Sequence, residues 1–230
     1  MKKKLFVLEF DKGVDEDFKL WTKEAVQEFI NLFPEYKDNF QINESKSYYT
    51  KADVEKIIAS SNVSSDSVWN MFELQSDGTY LRKQSLDWSV QQAMENGRVN
   101  TSTLLDVIDE DKYIYPDTPI SVLITSKPAH LGYGISNQRD LCVSAASCGK
   151  NKAYFKDIVM HELGHVFRAT HENRRNVVNN LGEHCTDADC LMYEYAYTQA
   201  STNRRHHKKK PIFCNDCMVS MRDYMENFLQ

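Results

Sequence analysis

Residues 161–171, His161-Glu162-Leu163-Gly164-His165-Val166-Phe167-Arg168-Ala169-Thr170-His171, constrain the fold more tightly than any other stretch of the chain. Histidines four positions apart share one face of a helix, so a helix here brings both imidazoles to a single point. The neighbours Ile158, Val159, Val166 and Phe167 bury that helix, and buried imidazoles without partners are costly to desolvate. Both demands are met if His161 and His165 hold a metal ion inside the fold. Glu162 then stands beside the ion without binding it, placed to take a proton from metal-bound water. His171, six residues after His165, extends the pattern toward the form with a third histidine ligand. Three imidazoles leave one position of a zinc ion open for water.

A second constellation lies downstream. Cys185 and Cys190 are followed, after an intervening stretch of 23 residues, by Cys214-Asn215-Asp216-Cys217. Two cysteine pairs at such spacings suit a closed tetrahedral thiolate site, the structural type of zinc. Four thiolates fill the coordination sphere, so this second metal holds structure and does no chemistry. Two disulfides or four free thiols are the alternatives, and a reducing compartment disfavours the disulfides.

The order of these features resembles the archaemetzincins. A zinc-peptidase helix is followed by His184-Cys185, then Cys190, then Met192 two residues on, and finally Cys214-x-x-Cys217. The resemblance covers about residues 155–217 by motif. It implies an α/β fold of metzincin type: a mixed sheet, a zinc-binding active-site helix and a C-terminal four-cysteine zinc subdomain, with two Zn²⁺ per chain. It also implies a methionine turn at Met192 beneath the histidines. Two departures stand out. Arg168 occupies the position where the metzincin pattern has glycine. In a left-handed conformation there it costs on the order of 1–2 kcal/mol. In the family, moreover, the third histidine directly precedes the first cysteine. Here His171 and the His184-Cys185 pair are thirteen residues apart. His171 keeps the offset that suits a short turn and is the expected third ligand, with His184 the alternative. If His184 binds instead, Arg168 is freed from the left-handed bend and the helix can run past Thr170.

Length and charge fit one enzyme domain spanning residues 1–230. A chain of 230 residues buries a substantial core, and its net charge of −5 offers no general affinity for nucleic acid or an anionic membrane. The start, Met1-Lys2-Lys3-Lys4-Leu5-Phe6-Val7-Leu8-Glu9, has an apolar run of four residues, too short for a signal peptide, and reads as a strand. No apolar run approaches the ~20 residues of a membrane span. The expectation is a cytoplasmic monomer acting on a peptide or protein substrate, with no nucleic acid and no membrane.

Along the chain, a strand is expected at about 4–10 and a helix through Phe18, Trp21, Ala25, Phe29 and Phe33, stopped at Pro34. Residues 45–115 read as helical elaboration, with short helices at 52–59 and 66–75, one capped by Ser85 and ended by Gly97, and one at about 102–110. Strands at 119–125 and 141–146 precede the zinc helix, expected at about 153–170, and residues 141–146 are the candidate sheet edge for an extended substrate. Residues 172–176 and 179–182 read as a polar loop, the four-cysteine region spans about 184–217, and a closing helix carries Met218, Met221, Tyr224, Met225 and Phe228. The basic run Arg204–Lys210 reads as a solvated loop, although a zinc-stabilised module binding nucleic acid through it is the rival reading, and an inactive peptidase-fold protein is a third. His206 and His207 lack a framework for metal. Tyr193 and Tyr195 have packing as their expected role. Cys142 and Cys148 are paired or free.

Overall fold

The computed structural model describes residues 4–45, 48–60, 64–83, 85–109, 120–130, 133–137, 139–171, 174–179, 183–193 and 212–229. The elements run β1 (Lys4–Phe10), α1 (Glu16–Asn31), β2 (Phe40–Glu44), β3 (Tyr48–Tyr49), α2 (Lys51–Ser60), α3 (Ser65–Trp69), β4 (Phe72–Leu74), β5 (Tyr80–Arg82) and α4 (Leu86–Ala93). They continue with β6 (Met94–Glu95), β7 (Arg98–Val99), α5 (Thr101–Asp109), β8 (Ile120–Thr125), β9 (Gly134–Ser136), β10 (Asp140–Ser144) and α6 (Ala145–Cys148). The last are α7 (Lys152–Val166), β11 (Val177–Asn179), β12 (Glu183–Cys185) and α8 (Asn215–Phe228). The chain is mixed α/β.

Five strands make the central sheet, in the order β2-β1-β8-β10-β9. The first four are mutually parallel, and β9 closes the row antiparallel to β10. Every residue of β8 and β10 is buried, the mark of parallel strands covered on both faces. Residues 141–146 therefore sit inside the sheet and not at its edge. On this side the edge is β9, which pairs antiparallel along the outer side of β10.

Helices α1 and α7 lie against the same face of the sheet through an aromatic seam. Phe18 meets Phe155 edge-on with ring centroids 4.9 Å apart, and Phe29 meets Phe167 at 5.1 Å. Phe167 also touches Phe6, Phe40, Tyr224 and Phe228, so one ring joins β1, β2, α1 and α8 to the end of α7. Aromatic contacts of this kind contribute about 0.5–1.5 kcal/mol each beyond burial. Helix α7 is held by core packing along its whole length.

The 45–115 region is less helical than the sequence suggests. Helix α3 stops at Trp69, and residues 72–74 turn into β4, forming with β5 and β3 a small antiparallel sheet. Asp77-Gly78 makes the turn, Gly78 having φ +81°. Ser85 caps α4 as expected, its Oγ accepting from the Trp88 amide. Gly97 does not end that helix, which stops at Ala93; Asn96 (φ 50°) and Gly97 (φ 76°) instead make the turn between β6 and β7. Asn-Gly with both residues left-handed is the two-residue hairpin turn, and it overrode the helix-stop reading. Residues 172–173 and 180–182, Tyr195 and the basic run with His206 and His207 lie outside the described residues.

Candidate metal centres

Helix α7 starts at Asn151, whose side-chain oxygen accepts from the Tyr154 amide at 3.1 Å, and presents His161 and His165 one turn apart. His161 Nδ1 lies 2.7 Å from the Leu191 carbonyl oxygen. A carbonyl only accepts, so Nδ1 carries a proton, and in the neutral ring Nε2 is the nitrogen with the lone pair. That Nε2 faces His165 Nε2 at 2.9 Å. Burial, and then the proximity of His184, holds His165 well below the usual imidazole range, at about 3. The ring at 165 is thus neutral, as a metal ligand must be.

The third imidazole at this point is that of His184. One nitrogen from each of His161, His165 and His184 lies within 4.8 Å of the other two. His184 is buried, and its ring centroid lies 5.4 Å from that of His161 and 5.1 Å from that of His165. His171, the expected third member, lies outside this cluster in a turn, its carbonyl accepting from the Arg174 amide at 2.9 Å. The intervening residues do not form a mere polar loop. Residues 177–179 pair with 183–185 as the hairpin of β11 and β12, which returns the chain beside its point of departure. Thr170 Oγ1 donates to the Glu183 carbonyl at 2.6 Å and closes the base of this excursion. Residue 184 thereby reaches the point a short turn would give to residue 171.

Arg168 is left-handed all the same, with φ 54°. The expectation that a His184 site would release it fails for a local reason. The Ala169 amide bonds the Gly164 carbonyl at 2.8 Å and the Arg168 amide bonds the His165 carbonyl at 2.9 Å. This paired closure needs a left-handed residue after the cap, so α7 ends at Val166 whichever histidine follows. The Arg168 guanidinium lies over the Tyr224 ring at 5.3 Å, a contact that offsets part of the strain.

Glu162 is buried beside the imidazoles. Ser136 Oγ on edge strand β9 donates to its Oε2 at 2.8 Å. Two residues back on the same face, a Cβ on Gly134 would come within 3.0 Å of Glu162 Cγ and Oε1. Glycine there lets the carboxylate lie against the strand. Neither residue carries a sequence signal, since both act across a gap of more than 25 positions.

Beneath the helix, Met192 is fully buried with its sulfur against Gly164, where a Cβ could not fit without displacing it. The same turn supplies the Leu191 carbonyl to His161, and the Met192 carbonyl accepts from the Cys185 amide at 2.7 Å. Met192 thus forms an apolar floor. Tyr193 packs partly buried against the core, as expected.

The four cysteines also converge. The sulfurs of Cys185, Cys190, Cys214 and Cys217 all lie within 4.8 Å of one another, and no disulfide joins any of the six cysteines. Separations of 3.7 Å for Cys185–Cys214 and 3.5 Å for Cys190–Cys217 are close to the ~3.8 Å edge of a tetrahedron with Zn–S bonds of about 2.3 Å. The Asp187 amide points at Cys185 Sγ and the Cys214 amide at Cys190 Sγ, as donors to thiolates do. The residues present fit a zinc ion at both places. His184 and Cys185 are neighbours on β12, and strand alternation sends one side chain to each cluster. Cys142 and Cys148 are buried singly; burial raises both thiols, that of Cys148 to about 12.

No protein-family model matches the sequence, and no curated protein matches it. Among solved structures, the chain is similar to the crystal structure of archaemetzincin from Methanopyrus kandleri, with a TM-score of 0.55 at 17% sequence identity. The match covers 98% of this chain and 96% of that one. No helix among the described residues is long and apolar enough to cross a membrane. The mixed sheet, the helix that carries two histidines and the C-terminal cysteine cluster together have the archaemetzincin fold.

Proposed function

We propose that the chain is a zinc-dependent peptidase, with His161, His165 and His184 holding the catalytic ion and Cys185, Cys190, Cys214 and Cys217 a structural one. The observation that carries this reading is the convergence of three imidazoles, two of them buried and that of His165 partly so, with a buried carboxylate alongside. A zinc ion held there supplies an acidified water and a Lewis-acid contact for the scissile carbonyl. The protein's own part is positional. The Leu191 carbonyl fixes the His161 tautomer and ring, and Met192 keeps the floor dry. Glu162 accepts the proton of the attacking water and returns it to the leaving amine, while Ser136 fixes its carboxylate on one side. An extended peptide lies along β9, the half-buried edge strand next to Glu162.

Glu162→Gln keeps the shape and removes the base, so hydrolysis of a peptide library is expected to fall by at least ~10²-fold with zinc content unchanged. Unaltered hydrolysis would place the chemistry elsewhere or in a contaminant. A wild-type chain loaded with zinc and inert toward the whole library would make this a peptidase fold without peptidase action.

A further inference from the structure

The excursion between the second and third histidines brings a charged group to the four-cysteine cluster, where peptide hydrolysis has no use for it. Arg174 Nη1 donates to the Ala169 carbonyl and, at 3.1 Å, to Cys217 Sγ. Its Nη2 is buried and has no hydrogen-bond acceptor among the described residues. The same segment is docked twice more. Asn176 Nδ2 donates to Asp216 Oδ2 at 3.1 Å beside the Cys214–Cys217 turn, and the Thr186 amide donates to the Asn176 carbonyl at 2.9 Å.

A guanidinium cannot shed its charge, so burying it against neutral thiols leaves a cation desolvated without return. Against thiolates the balance reverses. Four of them around a divalent ion carry a net charge of −2, and an N–H···S bond from a cation withdraws part of it. Arginine also suits the geometry, because the two N–H bonds of Nη1 serve the Ala169 carbonyl and the Cys217 sulfur together while the charge stays fixed on the group.

We propose that Arg174 is the counter-charge of the four-cysteine metal site, delivered by the 171–183 excursion. Through the Ala169 carbonyl it also ties that site to the segment leaving the active-site helix. The proposal rests on reading the four cysteines as a metal site, and the two can fail separately. The residue is a positioning group and touches no substrate.

The test uses the full chain loaded with zinc or with cobalt(II), comparing wild type with Arg174→Gln, Arg174→Met and Arg174→Lys. Zinc transfer from the cysteine site to a chelating dye is expected to be about 10- to 100-fold faster in the neutral Gln and Met variants, the usual effect of losing a partner of a metal ligand. Their thiolate-to-cobalt absorption should move to lower energy as electron density returns to sulfur, while Arg174→Lys falls between. Arg174→Gln retains a donor for Ala169 and keeps the test open if Arg174→Met does not fold. Wild-type release rates and band positions in the neutral variants would overturn the counter-charge role alone. A wild-type chain with no thiolate-to-cobalt band would overturn the metal reading of the cysteines together with it.

Discussion

Replacing His184 by alanine should cost the chain its catalytic metal, whereas replacing His171 should cost it almost nothing. The expected size follows from the ligand count. Sites with four protein ligands bind structural zinc with roughly 10–16 kcal/mol, or about 2.5–4 kcal/mol for each ligand. At about 1.4 kcal/mol per tenfold, losing one imidazole weakens binding by about 10²–10³-fold. The geometry assigns that loss to His184, whose ring nitrogen lies within 4.8 Å of those of His161 and His165, and not to the turn at His171. The assay is competition for zinc with a chelator of known affinity, read as metal per chain. Wild type and His171→Ala should hold the catalytic ion to within about threefold of each other, and His184→Ala should release it while keeping the slowly exchanging ion at the cysteines. If His171→Ala releases the ion and His184→Ala does not, the excursion has been misread and the short turn carries the third ligand.

Three further outcomes follow from other contacts. Ser136→Ala removes the hydroxyl that donates to Glu162 at 2.8 Å. A hydrogen bond to a charged group contributes about 1.5–3 kcal/mol, so kcat should fall by roughly 10- to 100-fold with KM little changed, and Ser136→Thr should restore it; a change in KM alone would count against this role. Gly164→Ala gains about 1 kcal/mol of helix propensity but crowds the Met192 sulfur, and overpacking costs about 1–3 kcal/mol. The variant should melt a few degrees lower, and adding Met192→Ala should cancel the crowding; additive losses in the double variant would refute it. All six cysteines should titrate as free thiols in denaturant with chelator and no reductant. In the native chain Cys142 and Cys148 should stay unreactive, because burial raises both thiols; fewer than six free thiols would indicate a disulfide.

Features of the site that depend on short sequence distance were legible from the chain, and those that depend on its return path were not. The pairing of His161 with His165 needs only a helical turn, and the strand at 4–10 needs only its short apolar run. The left-handed Arg168 was foreseen from its place in the motif, although its cause turned out to be helix termination, not delivery of His171. The imidazole gathered with His161 and His165 is that of the alternative, His184, and not of the expected His171, because its position depends on hairpin pairing and on the Thr170–Glu183 bond. Likewise the sheet edge passed from 141–146 to β9 because β9 pairs antiparallel along the outer side of β10. Ser136, Gly134 and Arg174 belong to the same class, since each acts on a partner far away in sequence.

Strand β12 gives the protein a partition one peptide thick between the histidine cluster and the cysteine cluster. Because side chains alternate across a strand, the chamber each donor enters is decided by parity alone. A slip of one residue would hand a thiolate to the open chamber and an imidazole to the closed one, exchanging a lone-pair donor for an anion where a substrate must enter. The two chambers therefore share one register, held by the Cys185 amide on Met192 and the pairing of Val178 with His184. A change that loosens either chamber is felt in the other, so neither can be retuned alone. Through that shared register, an ion held by the cysteines would help decide which atoms meet an ion held by the histidines.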